Sequence, residues 1–501
     1  MAGFFEKLGK KLFGQKSTSS RTRSVEHGTP QARQKEVRRP SPPKQRSVRQ
    51  REPYFVQIGF DFGTAFSKCV CRDIMLDKAW VYTPNGGIGN QMPFLMHNAV
   101  SFDGLCFGYQ VNPSGAYTQN ALMHIKMALQ KIGLDDLNNG VLMPFKRVLP
   151  KLDSVDLPEF VELCAVYLLA GMFGDIKADI SARYPGQCDD DYIAINMAVP
   201  VADANDEGVN KVFERVLRIA WVLADELAGH PEQSLMELAS AVERNREKSD
   251  SEEVRNACCI YPEVSANVQG FVRSRNSQTG LYLFSDTGAG TVDQSIFLFS
   301  RPDGRDQLTY LYAEVLPLGS SHIEYEAARR QGDLAWGNLE RLRELKEQGH
   351  MSNGLAAARN SIQYDLNKAT VRSIAYSKEK LVNRNQMNRI TVIFGGGGHC
   401  KNPYESGVMQ MYEHPLFRKE DIENRKRNRD RFDIGMPTPR DLQLQSSQAR
   451  WMNRLSVAYG LSFEQGQLAA FKLPHEVENP TPEEVWRPTT RHRQMTSKDD
   501  V

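Results

Sequence analysis

Val56-Gln57-Ile58-Gly59-Phe60-Asp61-Phe62-Gly63-Thr64-Ala65-Phe66-Ser67-Lys68 is the stretch from which the fold is read. Tyr54, Val56, Ile58 and Phe60 fall two residues apart, the period of a strand with one face on a core. The strand reaches Asp61 and turns. Gly63 removes the Cβ that would keep a ligand off the backbone, and Thr64 sets a hydroxyl beside a row of turn N–H groups, so Gly63, Thr64 and Ala65 form a turn able to hold phosphate. Asp61, at the strand end, suits Mg²⁺ held through its water shell, because that ion keeps several waters and takes few carboxylates. An ordinary hairpin remains the plain alternative.

A second copy weighs against that alternative. Leu281 to Asp293 repeats the sequence of an apolar strand, then Asp286, then a turn of Gly288, Ala289, Gly290 and Thr291, with a further apolar strand from Ser295 to Phe299. Two such hairpins far apart predict two similar half-domains gripping one nucleotide, each offering turn amides and a carboxylate to the same phosphates and metal.

Phe60-Asp61-Phe62-Gly63-Thr64 and Asp286-Thr287-Gly288-Ala289-Gly290-Thr291-Val292-Asp293 resemble the two phosphate signatures of the actin, sugar kinase and heat-shock chaperone ATPase superfamily. The nearest version is the ATPase domain of the seventy-kilodalton, DnaK-type chaperones. The resemblance implies an α/β, two-lobed actin-like ATPase fold of duplicated ribonuclease-H-like halves, with ATP or ADP and Mg²⁺ in the central cleft. Asp61 and Asp286 would then hold the metal through water. The Ala121–Leu129 segment, read as a helix or helix edge, resembles the one whose lysine reaches the γ-phosphate, which implies that role for Lys126; on residues alone it is a solvent-facing lysine.

Tyr261-Pro262-Glu263-Val264-Ser265-Ala266 resembles the E-P-T-A-A-A segment whose glutamate orients the attacking water. The role suits Glu263, since phosphoryl transfer to water needs positioning and electrostatics more than covalent help. A glutamate at a helix N-terminus facing the macrodipole is the structural alternative. Leu318-Gly319-Ser320-Ser321 resembles a turn bordering the nucleotide, from which only Gly319 carries over. Leu339 to Arg343 resembles the helix that packs against adenosine, implying Glu340 and Arg343; a solvated charged face is the other reading. Ile390 to Gly398 is a strand running into glycines, and Gly395, Gly396 and Gly397 offer a surface on which a flat base or sugar can lie, as in the family's V-x-x-G-G-S signature. Neither G-x-G-x-x-G nor G-x-x-x-x-G-K-[ST] occurs, which removes the basis for dinucleotide and P-loop readings.

The whole composition agrees. The 501 residues, 40% of them hydrophobic, can bury a large core, and 63 basic against 61 acidic residues leave +2, so no nucleic-acid partner is expected. Residues 418 to 431 read as a solvated charged face. The Phe160–Phe173 run contains Glu162 and falls short of the ~20 apolar residues of a spanning helix, so it reads as a core helix. Eight scattered cysteines without C-x-x-C read as reduced and cytoplasmic.

Residues 1–15 carry Phe4, Phe5, Leu8, Leu12 and Phe13 at helical spacing with Lys7, Lys10 and Lys11 between them, a basic amphipathic helix. An anionic membrane surface, a groove on a protein partner, or no partner all stay open. A membrane contact would make the protein peripheral at the inner face. Residues 16–52 read as a disordered basic linker, 53–270 and 271–474 as lobes I and II, 229–256 as a helical surface insertion in lobe I, and 475–501 as a flexible tail. No segment is left for the chaperones' peptide-binding domain and lid. The expected function is therefore a slow, Mg-dependent ATP hydrolase acting as a conformational switch on a protein partner. An actin-like filament or scaffold protein tethered to a membrane by the N-terminal helix is the alternative. Ala65 replaces a second threonine of the chaperone turn, and one lost hydrogen bond there costs about 0.5–1.5 kcal/mol.

Overall fold

The computed structural model describes residues 51–84, 92–109, 121–149, 155–186, 188–199, 206–273, 277–334, 336–352, 354–399, 401–417, 433–434, 439–444 and 451–480. Residues 1–50, with the predicted N-terminal helix and most of the predicted linker, the 418–431 segment, Cys400 and the far C-terminus lie outside them, while Arg51 at the linker's end is ion-paired with Asp191. The fold is mixed α/β with several sheets.

Five strands of the first sheet, in chain order, are Phe55–Asp61, Phe66–Asp73, Lys78–Val81, Tyr192–Val199 and Cys258–Pro262. Across the sheet they lie in the order third, second, first, fourth, fifth, with the first three antiparallel and the last two parallel to the first. The second sheet is built from Gly280–Thr287, Val292–Ser300, Gln307–Leu316, Thr391–Gly395 and Asp433–Ile434. Its order is again third, second, first, fourth, fifth, with the same pattern of directions. Short strands at Leu442–Gln443 and Ala470–Lys472 extend the two third strands.

Strand periodicity explains the packing. Val56, Ile58 and Phe60 enter one core, while Gly59 on the opposite face lets the Met452–Leu461 helix so close that a Cβ there would stand 2.0 Å from the Ala458 carbonyl oxygen. In the second sheet both faces are covered: Leu281 and Leu283 enter one cluster, Tyr282 and Phe284 another. A wholly buried large apolar side chain contributes about 1.5–3 kcal/mol, so these alternating faces pin the register.

The Leu157–Arg183 helix starts where Asp156 accepts the Glu159 N–H at 2.9 Å and Pro158 stands in the first turn. It is long and apolar enough by composition to cross a membrane, but 78% of its most apolar window is buried inside the protein. It is the central helix of the first core, as its apolar run predicts.

Ala99–Phe102, Cys106–Gly108, Ala121–Met123 and Gln233–Ser234 make a separate four-stranded sheet. Helix Glu207–Leu223 is capped by Asp206, whose carboxylate accepts the Val209 N–H at 2.9 Å. Two local expectations change. The Ala121–Leu129 segment is divided at His124 (φ 60°) into a strand and the Ile125–Gly133 helix. The 229–256 segment is helical but not merely superficial, since Leu235, Leu238 and Val254 are buried in the first core. The seven cysteines described are free, and Cys69, Cys71, Cys164 and Cys258 are buried.

Candidate functional site

Asp61 ends its strand, and the Gly63 N–H returns to the Asp61 carbonyl at 3.1 Å. A Cβ on Gly63 would stand 2.4 Å from the Phe66 carbonyl oxygen, so the turn closes only with glycine. Across the strands Asp61 pairs in register with Lys68, whose ammonium lies 2.5 Å from Asp61 Oδ2. The other carboxylate oxygen, Oδ1, is buried without a hydrogen-bond partner. Asn98 secures the turn from below: its side-chain amide donates to the Gly63 carbonyl, its backbone N–H to the Ala65 carbonyl at 3.0 Å, and its Oδ1 accepts Ser67 Oγ at 2.8 Å.

The second hairpin repeats the register, with Asp286 opposite Asp293 and Thr287 opposite Val292. The Gly288 N–H donates to Thr291 O at 2.9 Å. Behind the turn, the N–H groups of Gly319, Ser320 and Ser321 donate to the carbonyls of Gly290, Gly288 and Ala289 at 3.3, 2.9 and 2.8 Å. Gly319 thus stands behind the turn as its backing.

The two turns meet. A methyl group on Gly290 would lie 3.0 Å from Thr64 Cγ2, and 3.0 Å from Met127 Sδ on the Ile125–Gly133 helix. That helix carries Lys126, which is buried and lies 2.7 Å from Glu263 Oε2. Strand Cys258–Pro262 delivers Glu263 as the first residue of a short helix, and four residues on, Asn267 donates to Asp286 Oδ2 at 2.5 Å. The i, i+4 spacing places Glu263 and Asn267 on one helix face.

Electrostatics tie these groups into one cluster. Burial pulls the Lys126 ammonium down, yet Glu263, Asp61 and Asp293 together hold it above its ordinary value. Burial, then the charges of Glu263 and Asp61, push the Asp286 carboxyl up to about 7, against the opposing pull of Lys68 and Asn267. Asp61, Asp293, Glu263 and the proton-retaining Asp286 face the two ammonium groups of Lys68 and Lys126, leaving acidic groups in excess. Among the described residues no three His, Cys, Asp or Glu side chains converge as direct metal ligands. Scattered hard oxygens, a buried unpartnered Asp61 Oδ1 and an excess of acidic groups fit a divalent ion that keeps its water shell.

The glycine run packs closely against the second hairpin and its neighbours. Gly396 (φ +88°) presses on the second hairpin, where a Cβ would lie 2.1 Å from Asp286 Oδ1; one on Gly395 would lie 2.7 Å from Phe284 Cζ, and one on Gly397 3.1 Å from the Arg454 side chain. The Gly398 N–H donates to the Thr287 carbonyl at 2.8 Å. Gly396 is needed for the close backbone approach to Asp286, and Gly395 for the approach to Phe284. Arg343 lies 3.4 Å from the buried Glu324, which also accepts Lys346 at 2.6 Å; Lys346 reaches the Ser320 carbonyl at 2.9 Å as well. The Trp336–Glu347 helix is thereby tied to the turn behind the second hairpin. Glu340 is on the same helix, its side chain outside the described set. Burial and the Arg343 charge hold His97 down at about 4, so Arg343 is within electrostatic range of the strand beside Asn98.

Sequence reading passed over Lys68, Asn98, Asn267 and Asp293. Lys68 and Asp293 were accessible from hairpin register and Asn267 from its spacing to Glu263, whereas nothing local marks Asn98. Compared with models of known protein families and with characterised protein sequences, the chain matches none.

Proposed function

We propose that the chain is an ATP-binding, Mg-dependent ATPase with a two-lobed, actin-like architecture of duplicated ribonuclease-H-like halves, acting as a nucleotide-driven switch on a protein partner. The duplication is supported by the identical strand order and directions of the two sheets. The observation that carries the function is the meeting of two glycine hairpins of equal register, Gly290 against Thr64, with Asp61, Asp286, Glu263 and Lys126 in one electrostatic cluster.

Asp61 and Asp286 would hold Mg²⁺ through its waters, and the ion would supply the positive charge that the carboxylates and a phosphate chain call for. The amides of Gly63 to Ala65 and Gly288 to Thr291, with the Thr64 and Thr291 hydroxyls, take the phosphate oxygens. Lys126 balances charge at the terminal phosphate. Glu263, fixed by Lys126 at the start of its helix, orders the attacking water. Because the turns touch, a triphosphate is admitted only when the hairpins part, and that separation is the movement a partner would sense.

Calorimetric titration of the full chain with Mg-ATP and Mg-ADP, followed by phosphate release, tests this. Saturable binding is expected, with Glu263→Ala retaining it while hydrolysis falls at least about tenfold, a barrier change of ~1.4 kcal/mol. No binding at millimolar nucleotide, or unchanged turnover in Glu263→Ala, defeats the respective claim.

A further inference from the structure

We propose that the first sheet carries a ligand site separate from the hairpin cluster, at the end away from the Asp61 turn, and that it takes a small monocarboxylate with an apolar tail. It does not depend on nucleotide binding. The register sets Lys68 opposite Asp61 at one end of the first two strands and Asp73 opposite Val56 at the other, roughly 16 Å away at about 3.3 Å per residue. At that far end an open cavity of about 300 Å³ has Asp73, Leu76, Lys78, Trp80, Arg183 and Tyr184 in its lining. Strand Phe66–Asp73, the turn into Lys78–Val81 and the end of the Leu157–Arg183 helix meet there.

The groups left unmet in this lining are donors. Asp73 Oδ1 accepts the N–H groups of Met75 and Leu76 at 2.9 and 3.0 Å, and its Oδ2 accepts the Tyr184 hydroxyl at 2.6 Å, so that carboxylate is occupied. Lys78 stands opposite Asp73 in register, exposed, and forms no ion pair among the described residues. The Trp80 indole N–H is buried with no acceptor, which is rare for a buried donor. The Arg183 guanidinium lies 4.9 Å from the centre of the Trp80 ring and gives one N–H to Asp179 at 2.9 Å, leaving donors over. A ligand that completes this set brings acceptors, and a carboxylate meets an ammonium with a charge-assisted bond. The Asp73 charge beside it disfavours a doubly charged phosphate. The tail follows from the other walls, since Leu76 is 64% exposed and Trp80 and Tyr184 add rings. Tyr184 is fixed by Asp73 and by the Tyr54 ring at 4.7 Å, so this wall is in place before a ligand arrives.

The test follows the Trp80 indole N–H resonance of the full chain, identified by its loss in Trp80→Phe, as hexanoate is added to about 20 mM at constant ionic strength. A saturable shift with a millimolar dissociation constant is expected, the strength open to a ligand this small. Hexanamide keeps the tail without the charge and inorganic phosphate keeps charge without a tail; both are expected to leave the resonance in place. Lys78→Met is expected to weaken hexanoate binding at least about tenfold, and Lys78→Arg to retain it. Calorimetry of hexanoate with the wild type and Lys78→Met reads the same contrast where Trp80→Phe fails to fold. No saturable hexanoate binding, an equal response to hexanamide, or unchanged affinity in Lys78→Met overturns the site. A response to phosphate alone overturns the assignment of a carboxylate.

Discussion

The first hairpin sets Lys68 across from Asp61, and the second sets Asp293 across from Asp286, at the same point of the same register. Around that one difference the two turns are supported in unlike ways. The first is held by a side chain, Asn98, and its aspartate is neutralised across the strands. The second is held by main chain, from the Gly319–Ser321 amides and the glycine run, and its aspartate has an amide, Asn267, as its hydrogen-bond donor. A shared backbone frame therefore carries two electrostatic environments: a compensated carboxylate in one half and a proton-retaining one in the other.

The largest expected effect comes from disturbing the second hairpin's main-chain support. Gly396→Ala forces a side chain into a left-handed conformation and toward Asp286 Oδ1 and the Thr287 backbone. A loss of about 3 kcal/mol or more in urea unfolding is expected. Gly288→Ala, whose added Cβ would meet nothing closer than 3.4 Å, is the control and is expected to cost less. Equal losses would show that the glycine run does not support the turn.

Next is the proton on Asp286. Its folded pKa, near 7, lies above the ~3.9 of an unfolded aspartate, so between these values the folded state binds the extra proton. This group's contribution to stability is complete below about pH 4 and is lost as pH rises through about 7. Asp286→Asn keeps an acceptor for Asn267 and removes the titration. The variant is expected to be about 1–3 kcal/mol more stable than the wild type at pH 8, with the gap closing toward pH 5. Parallel stability profiles from pH 5 to 8 would contradict the assigned environment.

The smallest effect concerns the first hairpin. Asn98→Ala removes the amide from Gly63 and Ser67, and about 1 kcal/mol is expected to be lost, with faster amide exchange confined to the first turn. Exchange spreading equally to the second turn would mean that the two supports are not separate.

Much of the frame was legible because its causes are local. Period-two apolar residues in Val56–Phe60 and Leu281–Phe284, and glycines after Asp61 and Asp286, report strand and turn without reference to the rest of the chain. Glu263 and Lys126 were reachable only through resemblance, and their 2.7 Å contact joins residues that nothing in either segment links. The glycine run was legible as glycine, whereas its close packing on Asp286, Phe284 and Arg454 was not, because those neighbours come from distant segments. Nothing local assigns Met96–His97 to the first sheet and Ala99–Phe102 to another, because a strand's pattern states which face is apolar, not which neighbour it pairs with.

The amino-acid order alone determined two hairpins of one design, each with an aspartate at the end of its first strand, since dihedral preference and side-chain alternation act over a few residues. Tertiary structure decided that the hairpins touch, that Asn267 lies on Asp286, and that burial with the charges of Glu263 and Asp61 raises the Asp286 carboxyl. Those outcomes depend on burial and charge summed over elements distant in the chain, and no short window of residues contains that sum.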